Sequence, residues 1–126
     1  MSTDTGIADS RVLVVEDDYL IALDTEDMLR AAGFDDIVVE ASVGRAMAAL
    51  DDAMPAFALL DFNLKNETSA ELARRLRQAS VPFAFVTGKD RCTFPDDLSG
   101  EPTLTKPLAL DTLRTWIGQT VGGSAA

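Results

Sequence analysis

Polar side chains stand directly after short apolar runs at several points of this sequence. The run Phe57 to Leu60 precedes Asp61, and the run Val12 to Val15 precedes the acids Glu16 and Asp17. Four consecutive apolar residues predict a strand buried on both faces, as in a parallel sheet. The carboxylates would then lie at the carboxyl ends of the strands. Oxygen ligands grouped in this way suit a hard divalent cation.

Two later predicted strands end in residues suited to a phosphoryl group. Thr87 follows the predicted strand Pro82 to Val86, and Lys106 follows the predicted strand Thr103 to Thr105. A hydroxyl and an ammonium beside carboxylates are groups that can position and neutralise a phosphoryl group. The chain contains no histidine, which excludes a Ser-His-Asp triad and His-ligated zinc.

Length and charge limit the remaining function classes. The chain has 126 residues, 47% of them hydrophobic, which fits one globular domain spanning residues 1–126. Its net charge of -10 disfavours binding to nucleic acid or to anionic lipid. We expect a cytoplasmic protein, because the first ten residues lack a basic n-region and no apolar run reaches about 18 residues. The single cysteine, Cys92, excludes an intrachain disulfide.

Strand and helix patterns alternate along the chain, which predicts an α/β fold with a parallel sheet covered by helices on both faces. The second strand is short and flanked by charges, as is typical of an edge strand. Residues 1–10 and 122–126 are expected to fray. The five predicted strands cover residues 11–16, 37–40, 57–60, 82–86 and 103–105.

Capping residues set the bounds of the predicted helices. The first helix begins near Asp18 and ends at Gly33, which suits the C′ position. Ser42 is predicted to cap a second helix that ends near Asp51. The remaining helices are predicted to start after Thr68 or Ser69, with Leu72 and Leu76 facing inward, and to run from Asp111 to about Thr120.

The segment from Lys89 to Gly100 is unfavourable for a regular helix. Pro95, two aspartates and a Ser-Gly pair interrupt it within six residues. We therefore expect the fourth helix to be short, distorted or mobile.

Several of the polar residues also have purely structural explanations. Asp61 could cap a turn, although its position after a buried run recurs at Glu16 and Asp17. Asp18 is better explained as a residue of the first helix N-terminus than as a ligand, because acids are favoured there. The other structural assignments are a solvated turn for Lys106, an ordinary turn for Thr87-Gly88, a solvated helix face for Arg74, Arg75 and Arg77, and the core for Trp116.

Taken together, the motifs resemble the receiver domain of two-component response regulators. The resemblance covers residues 11–120 and implies a flavodoxin-like fold with strand order 2-1-3-4-5. It rests on Val14-Val15-Glu16-Asp17-Asp18, Leu59-Leu60-Asp61-Phe62-Asn63, Glu71-Leu72 with Leu76-Arg77, Val86-Thr87-Gly88 and Thr105-Lys106-Pro107.

The resemblance implies a role for each residue of the motifs. Asp61 would be the phosphoacceptor, and Mg²⁺ would be held by Asp17, Asp61 and the backbone carbonyl of Asn63, with Glu16 reaching it through water. Without metal, the packed acids repel one another, so one of them should have a raised pKa. The phosphoryl group would contact Lys106, the Thr87 hydroxyl and the Gly88 N–H. Asn63 lies at a position where receivers adjust how long the phosphoryl group remains attached.

The stretch Pro82 to Gly88 also resembles a receiver subgroup with a Pro-Phe-x-Phe-x-Thr-Gly fourth strand. Members of this subgroup are often single-domain regulators in stress-response phosphorelays. Three positions depart from the usual patterns. Lys89 replaces the aromatic residue after Thr-Gly, Lys65 replaces a proline, and Thr103 replaces the aromatic ring that switches rotamer in receivers.

The sequence therefore predicts a stand-alone receiver that takes a phosphoryl group from a sensor histidine kinase or a histidine phosphotransfer protein. It would signal by docking a downstream protein or act as a phosphate sink, and it would not be a turnover enzyme. One alternative is a pseudo-receiver, an interaction module that works without phosphorylation. Another is a small aspartyl-phosphate phosphohydrolase, but such enzymes use Asp-x-Asp, and this chain has Asn63 at the second position and no cap domain.

Overall fold

A five-stranded parallel sheet forms the centre of the computed structural model, which describes residues 10–88 and 94–122. Its strands are β1 (Val12–Val15), β2 (Ile37–Glu40), β3 (Phe57–Leu60), β6 (Phe83–Thr87) and β7 (Thr103–Thr105). They are ordered β2-β1-β3-β6-β7, which confirms the predicted order 2-1-3-4-5 with the second strand at an edge. The two-residue strands β4 (Asn63–Leu64) and β5 (Glu67–Thr68) form a separate antiparallel hairpin.

Four α-helices are present in the described residues: α1 (Tyr19–Ala31), α2 (Val43–Asp52), α3 (Ala70–Gln78) and α4 (Leu110–Ile117). The predicted start of α1 is confirmed, because Asp18 Oδ1 accepts hydrogen bonds from Leu20 N and Ile21 N. After α1, Gly33 has a φ of 104°, a left-handed conformation that favours glycine. Ser42 caps α2 as predicted, since its Oγ accepts from Arg45 N. None of the described helices has the length and apolar content required for a membrane span.

The predicted start of α3 is confirmed in position, because the helix begins at Ala70 directly after Ser69, whereas the start of α4 differs from the prediction. Ser69 lies at the N-cap position of α3, but its hydroxyl makes no capping hydrogen bond and is buried without a partner among the described residues. Thr68 Oγ1 instead accepts from Ala70 N at 3.5 Å. Helix α4 begins with Ala109 as its N-cap, so Asp111 lies within the first turn rather than capping it. A carboxylate in the first turn still interacts favourably with the helix dipole.

The fourth helix predicted between Lys89 and Gly100 is reduced to one 3-10 turn, Asp96–Leu98, in the described part of that segment. Its shortness agrees with the prediction and follows from Pro95, which precedes the turn and cannot donate a backbone hydrogen bond. Residues 89–93, including Lys89 and Cys92, lie outside the described residues, as do residues 1–9 and 123–126 of the predicted tails.

Successive strand residues alternate between two apolar layers, one on each face of the sheet. One layer packs against α2 and α3, where Leu72 and Leu76 are fully buried as predicted. The other packs against α1 and α4 and contains Trp116. At its centre, the ring of Phe57 meets the edges or faces of Phe34 and Trp116 at centroid distances of 5.3 and 5.4 Å. The predicted core position of Trp116 is confirmed.

Arginines of α3 are not the simple solvated face that the sequence predicts, because they bind carboxylates across the surface. Arg74 donates two hydrogen bonds to the Asp97 carboxylate, at 2.9 and 3.1 Å. Arg77 donates to the Asp97 carbonyl and to Glu101. We call Arg74, Arg77, Asp97 and Glu101 the arginine clasp. It fastens the 3-10 turn after Phe94 to α3.

Replacing Phe57 with alanine should remove the centre of one apolar layer. A fully buried Phe→Ala change costs about 3–5 kcal/mol of unfolding free energy, because lost contacts and a cavity add together. Denaturant unfolding of Phe57→Ala measures this cost. Tyr19→Ala serves as the control, since Tyr19 is 73% exposed and its removal should change stability by less than about 0.5 kcal/mol. Equal losses in the two variants would contradict the assigned core.

Asp97→Asn should weaken the arginine clasp in a pH-dependent manner. The hydrogen bond and charge of Arg74 lower the pKa of Asp97. A carboxyl with a lowered folded-state pKa stabilises the fold at neutral pH, and this contribution is lost as the pH falls through that folded-state pKa. The melting temperature of Asp97→Asn should therefore lie below that of the wild type at pH 7, by a difference that shrinks in acid and in 1 M salt. An exposed control, Asp27→Asn, should show no such dependence; identical behaviour of the two variants would argue against the clasp.

Candidate functional site

The carboxyl ends of β1, β3 and β7 bring acidic and basic side chains to one edge of the sheet. Val15 lies opposite Leu60 in the parallel register, and Asp61 N donates to Val15 O at 2.9 Å. Residues that directly follow the two strands, Glu16 and Asp61, are therefore neighbours. Because both strands are buried and apolar, the backbone positions of Glu16 and Asp61 are fixed relative to each other.

Glu16, Asp17 and Asp61 form a carboxylate cluster. One oxygen from each lies within 4.8 Å of the others. Glu16 is 5% exposed, and the Asp61 side chain is 12% exposed. Three carboxylates this close repel one another strongly unless positive charge is present.

Lys106 supplies positive charge to the carboxylate cluster. Its Nζ lies 2.9 Å from Glu16 Oε1 and 3.3 Å from Asp61 Oδ2. The Lys106 N–H donates to the Thr87 carbonyl at 2.7 Å, which fixes the Lys106 backbone to the end of β6. The solvated-turn explanation of Lys106 is therefore wrong, because the ammonium binds both acids and its side chain is only 20% exposed.

The electrostatics of the cluster follow from its burial. Burial raises the pKa of Glu16 above its usual value, while the Lys106 ammonium and the Asp18 N–H act in the opposite direction. A raised carboxyl pKa is expected from repulsion among the acids, but burial is the larger cause for Glu16 and the charge of Asp61 a smaller one. Burial alone would lower the pKa of Lys106, but hydrogen bonding to Glu16 and the charges of Glu16 and Asp61 raise it. The lysine therefore remains charged at neutral pH.

Asp18 stands beside the cluster but serves α1. Its side chain caps the helix, and its backbone N–H donates to Glu16 Oε2 at 3.1 Å. The helix-terminal assignment of Asp18 is thus confirmed, and its amide also orients the Glu16 carboxylate.

Asp17 is oriented by the β4–β5 hairpin, a contact that the sequence did not reveal. Lys65 N donates to Asp17 Oδ2 at 2.8 Å. The hairpin turns at Asn66, whose φ of 64° is one that asparagine tolerates well. A backbone donor carries no residue signature, but the Lys65-Asn66 pair between two short strands is a recognisable turn signal.

The remaining predicted residues lie at the same edge, although not within the charged cluster. Thr87 ends β6, where it pairs with Thr105, and is buried; Gly88 follows it and is exposed. A Cβ at Gly88 would meet nothing within 4 Å, so no described contact requires glycine there. Asn63 begins the hairpin opposite Thr68. The structure therefore brings Glu16, Asp17 and Asp61 within 4.8 Å of one another and pairs Lys106 with Glu16 and Asp61, with Asn63, Thr87 and Gly88 around them.

Three aromatic rings lie directly behind the cluster. Phe62 follows Asp61 and meets Phe85 and Phe94 edge-on, at centroid distances of 5.4 and 4.8 Å. Phe94 also stacks on Phe85 at 4.9 Å. The residue after Asp61 is thereby in contact with the segment fastened by the arginine clasp. Sequence reasoning assigned no role to Phe94.

The donor set fits a hard divalent cation. Three carboxylates can each offer one oxygen to a common point, and oxygen is the ligand that Mg²⁺ and Ca²⁺ prefer. Lys106 is the counter-charge to Glu16 and Asp61 in the structure. The site can therefore receive a cation beside Asp61 while the ammonium turns to another anion.

Lys106→Met should destabilise the protein in magnesium-free buffer, because it leaves a buried carboxylate cluster without its positive partner. Breaking a fully buried ion pair costs about 3–5 kcal/mol, and the partial exposure of Lys106 reduces the expected loss to roughly 1–3 kcal/mol. Denaturant unfolding measures it. Lys65→Met is the matched control, because the exposed Lys65 contacts Asp17 through its backbone alone. A loss no larger than that of the control would contradict the ion pairing.

Two solved structures are similar to this chain over nearly its whole length. The solution structure of SdrG from Sphingomonas melonis Fr1 is 31% identical, with a TM-score of 0.76, and the match covers 91% of this chain and 94% of that one. The PhyR response regulator REC domain from Erythrobacter litoralis is 30% identical, with a TM-score of 0.73, over 90% of this chain and 91% of that one.

A longer protein is also similar. The PhyR stress response regulator is 29% identical with a TM-score of 0.72, and the match covers 89% of this chain but 45% of that one. The chain thus spans about half the length of that regulator. Neither the models of protein families nor the curated proteins gave a match.

The fold agrees with these neighbours. The strand order, the acids after β1 and β3, and the lysine after β7 occur in the arrangement that the motifs implied. On the identity and coverage of the Erythrobacter litoralis domain, the chain belongs to the receiver domain family of response regulators.

Proposed function

We propose that this receiver domain accepts a phosphoryl group on Asp61 from a phosphohistidine of a two-component phosphorelay. The observation that carries the proposal is the contact of one ammonium with two acids. Lys106 Nζ lies 3.3 Å from Asp61 and 2.9 Å from Glu16, within a cluster that also includes Asp17. A carboxylate nucleophile, a cation site and a lysine are thereby within reach of one transferred group.

The transfer is a displacement at phosphorus. An oxygen of the Asp61 carboxylate forms the new O–P bond while the P–N bond to the donor imidazole breaks, and the imidazole nitrogen keeps the electron pair. Asp61 directly follows β3, which is fully buried and held in position by β1 and β6. This rigid position favours an in-line approach of the donor phosphoryl group to the Asp61 oxygen. The donor would be a sensor histidine kinase or a histidine phosphotransfer protein.

Mg²⁺ is the proposed cofactor. Asp17, Asp61 and the backbone carbonyl of Asn63 would hold it, with Glu16 reaching it through water, and its bound waters would complete the shell. When bound, the ion neutralises charge on the phosphoryl oxygens.

The other residues would hold the phosphoryl group after transfer. The Lys106 ammonium would exchange Asp61 for a phosphoryl oxygen, which suits a compact charge on a flexible stem. The Thr87 hydroxyl and the Gly88 N–H would donate hydrogen bonds from the end of β6. Asn63, two residues after Asp61, would influence how long the phosphoryl group survives.

The output would be a change in the surface that a downstream protein docks against, or drainage of phosphate from the relay. Similarity to a stress response regulator, at 29% identity, supports a role in a stress-response pathway. Thr103 in β7 provides no aromatic ring that could switch rotamer on phosphorylation. The contact between Phe62 and Phe94 would instead transmit a change at Asp61 to the arginine clasp.

Asp61→Asn should abolish acid-labile phosphorylation by acetyl phosphate, because the amide lacks the nucleophilic oxygen. Chelation of Mg²⁺ should have the same effect on the wild type. Phosphate incorporation, measured by intact-mass spectrometry at neutral pH, reports both results.

Asp27→Asn, which changes an exposed acid of α1, should be phosphorylated like the wild type. Undiminished labelling of Asp61→Asn would reveal another acceptor and sink the proposal. A wild type that stays unlabelled while a partner binds it and Asp61→Asn equally would favour the pseudo-receiver, and turnover of a phosphomonoester would favour the phosphohydrolase.

A further inference from the structure

The β4–β5 hairpin is fixed at its base and at its outer side by different contacts. At the base, Ser69 N donates to Phe62 O at 3.0 Å, and the Leu64 side chain is buried in the core. At the outer side, Glu67 Oε2 accepts a hydrogen bond from Val43 N at 3.0 Å. Glu67 lies opposite Leu64 in the hairpin register, next to the turn formed by Lys65 and Asn66.

The contact of Glu67 with α2 is electrostatically favourable. Val43 is the first residue of α2, so its N–H has no partner within the helix. The carboxylate satisfies this donor and lies at the positive end of the helix dipole. Ser42 caps a different amide, Arg45 N, so the two side chains do not compete. Helix α2 thereby serves as an anchor for the hairpin.

The opposite side of the same turn meets the carboxylate cluster. Lys65 N donates to Asp17 Oδ2 at 2.8 Å, which restricts the rotation of the Asp17 carboxylate. In this setting, one of the Asp17 oxygens lies within 4.8 Å of an oxygen of Glu16 and one of Asp61. A displaced turn would withdraw the Lys65 N–H and free the carboxylate.

We infer that Glu67 is a positioning residue for the cation site: its bond to the α2 N-terminus holds the hairpin where Lys65 N–H orients Asp17. This inference rests on the proposed function, because it concerns the Mg²⁺ affinity of the same site. Glu67 acts through the hairpin backbone and does not itself belong to the carboxylate cluster.

Two variants of Glu67 separate its hydrogen bond from its charge. Glu67→Ala removes both, whereas Glu67→Gln keeps an acceptor oxygen for Val43 N. Glu71→Ala is the matched control, because it removes one exposed negative charge from the nearby start of α3 and leaves the hairpin contact intact.

The first measurement is hydrogen exchange of the Lys65 amide by NMR in magnesium-free protein. The second is the Mg²⁺ dissociation constant from amide shifts during titration. Loss of a helix-capping hydrogen bond changes the equilibrium constant for local opening by roughly fivefold. Glu67→Ala should therefore raise the exchange rate of the Lys65 amide and the Mg²⁺ dissociation constant by about fivefold each. Glu67→Gln and Glu71→Ala should stay within about twofold of the wild type, and exchange of core amides such as Leu59 should be unchanged in all variants.

Lys65 exchange and Mg²⁺ affinity that are the same in Glu67→Ala and Glu71→Ala would overturn the inference and leave the proposed function intact. Equal weakening in Glu67→Ala and Glu67→Gln would also overturn it, since charge alone would then explain the effect. A wild type that binds no Mg²⁺ at millimolar concentration would instead overturn the proposed function, and this inference with it.

Discussion

The ion pairing of Lys106 with Glu16 and Asp61 is the interaction on which the functional edge of the sheet depends. Buried carboxylates at this spacing are mutually repulsive, and the fold tolerates them because one ammonium lies 2.9 and 3.3 Å from two of them. In the proposed function, a cation among the acids would release the lysine to bind an arriving anion.

Backbone architecture supplies the precision of this edge. The buried strands β1 and β3 place Glu16 and Asp61, and the partly exposed edge strand β7 places Lys106. Two backbone N–H groups orient carboxylates. Asp18 N contacts Glu16, and Lys65 N contacts Asp17. Behind the edge, Phe62 joins Asp61 to Phe94, which precedes the turn bound by the arginine clasp. The residue after Asp61 is therefore packed against the segment that leads to the arginine clasp on α3.

Local sequence signals predicted the features that depend on local physics. The apolar run Phe57 to Leu60 predicted β3 with its observed bounds, and side-chain caps predicted the starts of α1 and α2. The arginine clasp joins residues twenty or more positions apart, which no periodicity reveals. The predicted start of α4 was wrong because an aspartate such as Asp111 is as favourable inside the first turn of a helix as at its N-cap. The orientation of Asp17 escaped prediction because its donor is a backbone group.

The central claim is that Asp61, Lys106 and the end of β6 surround one phosphoryl-sized group in the presence of a cation. Amide NMR spectra recorded with Mg²⁺, before and after addition of a beryllofluoride complex, test it most directly. We expect the complex to shift the amides of Asp61, Thr87, Gly88 and Lys106 together, and to leave them unshifted when Mg²⁺ is chelated. Spectra in which these four amides do not respond would contradict the claim.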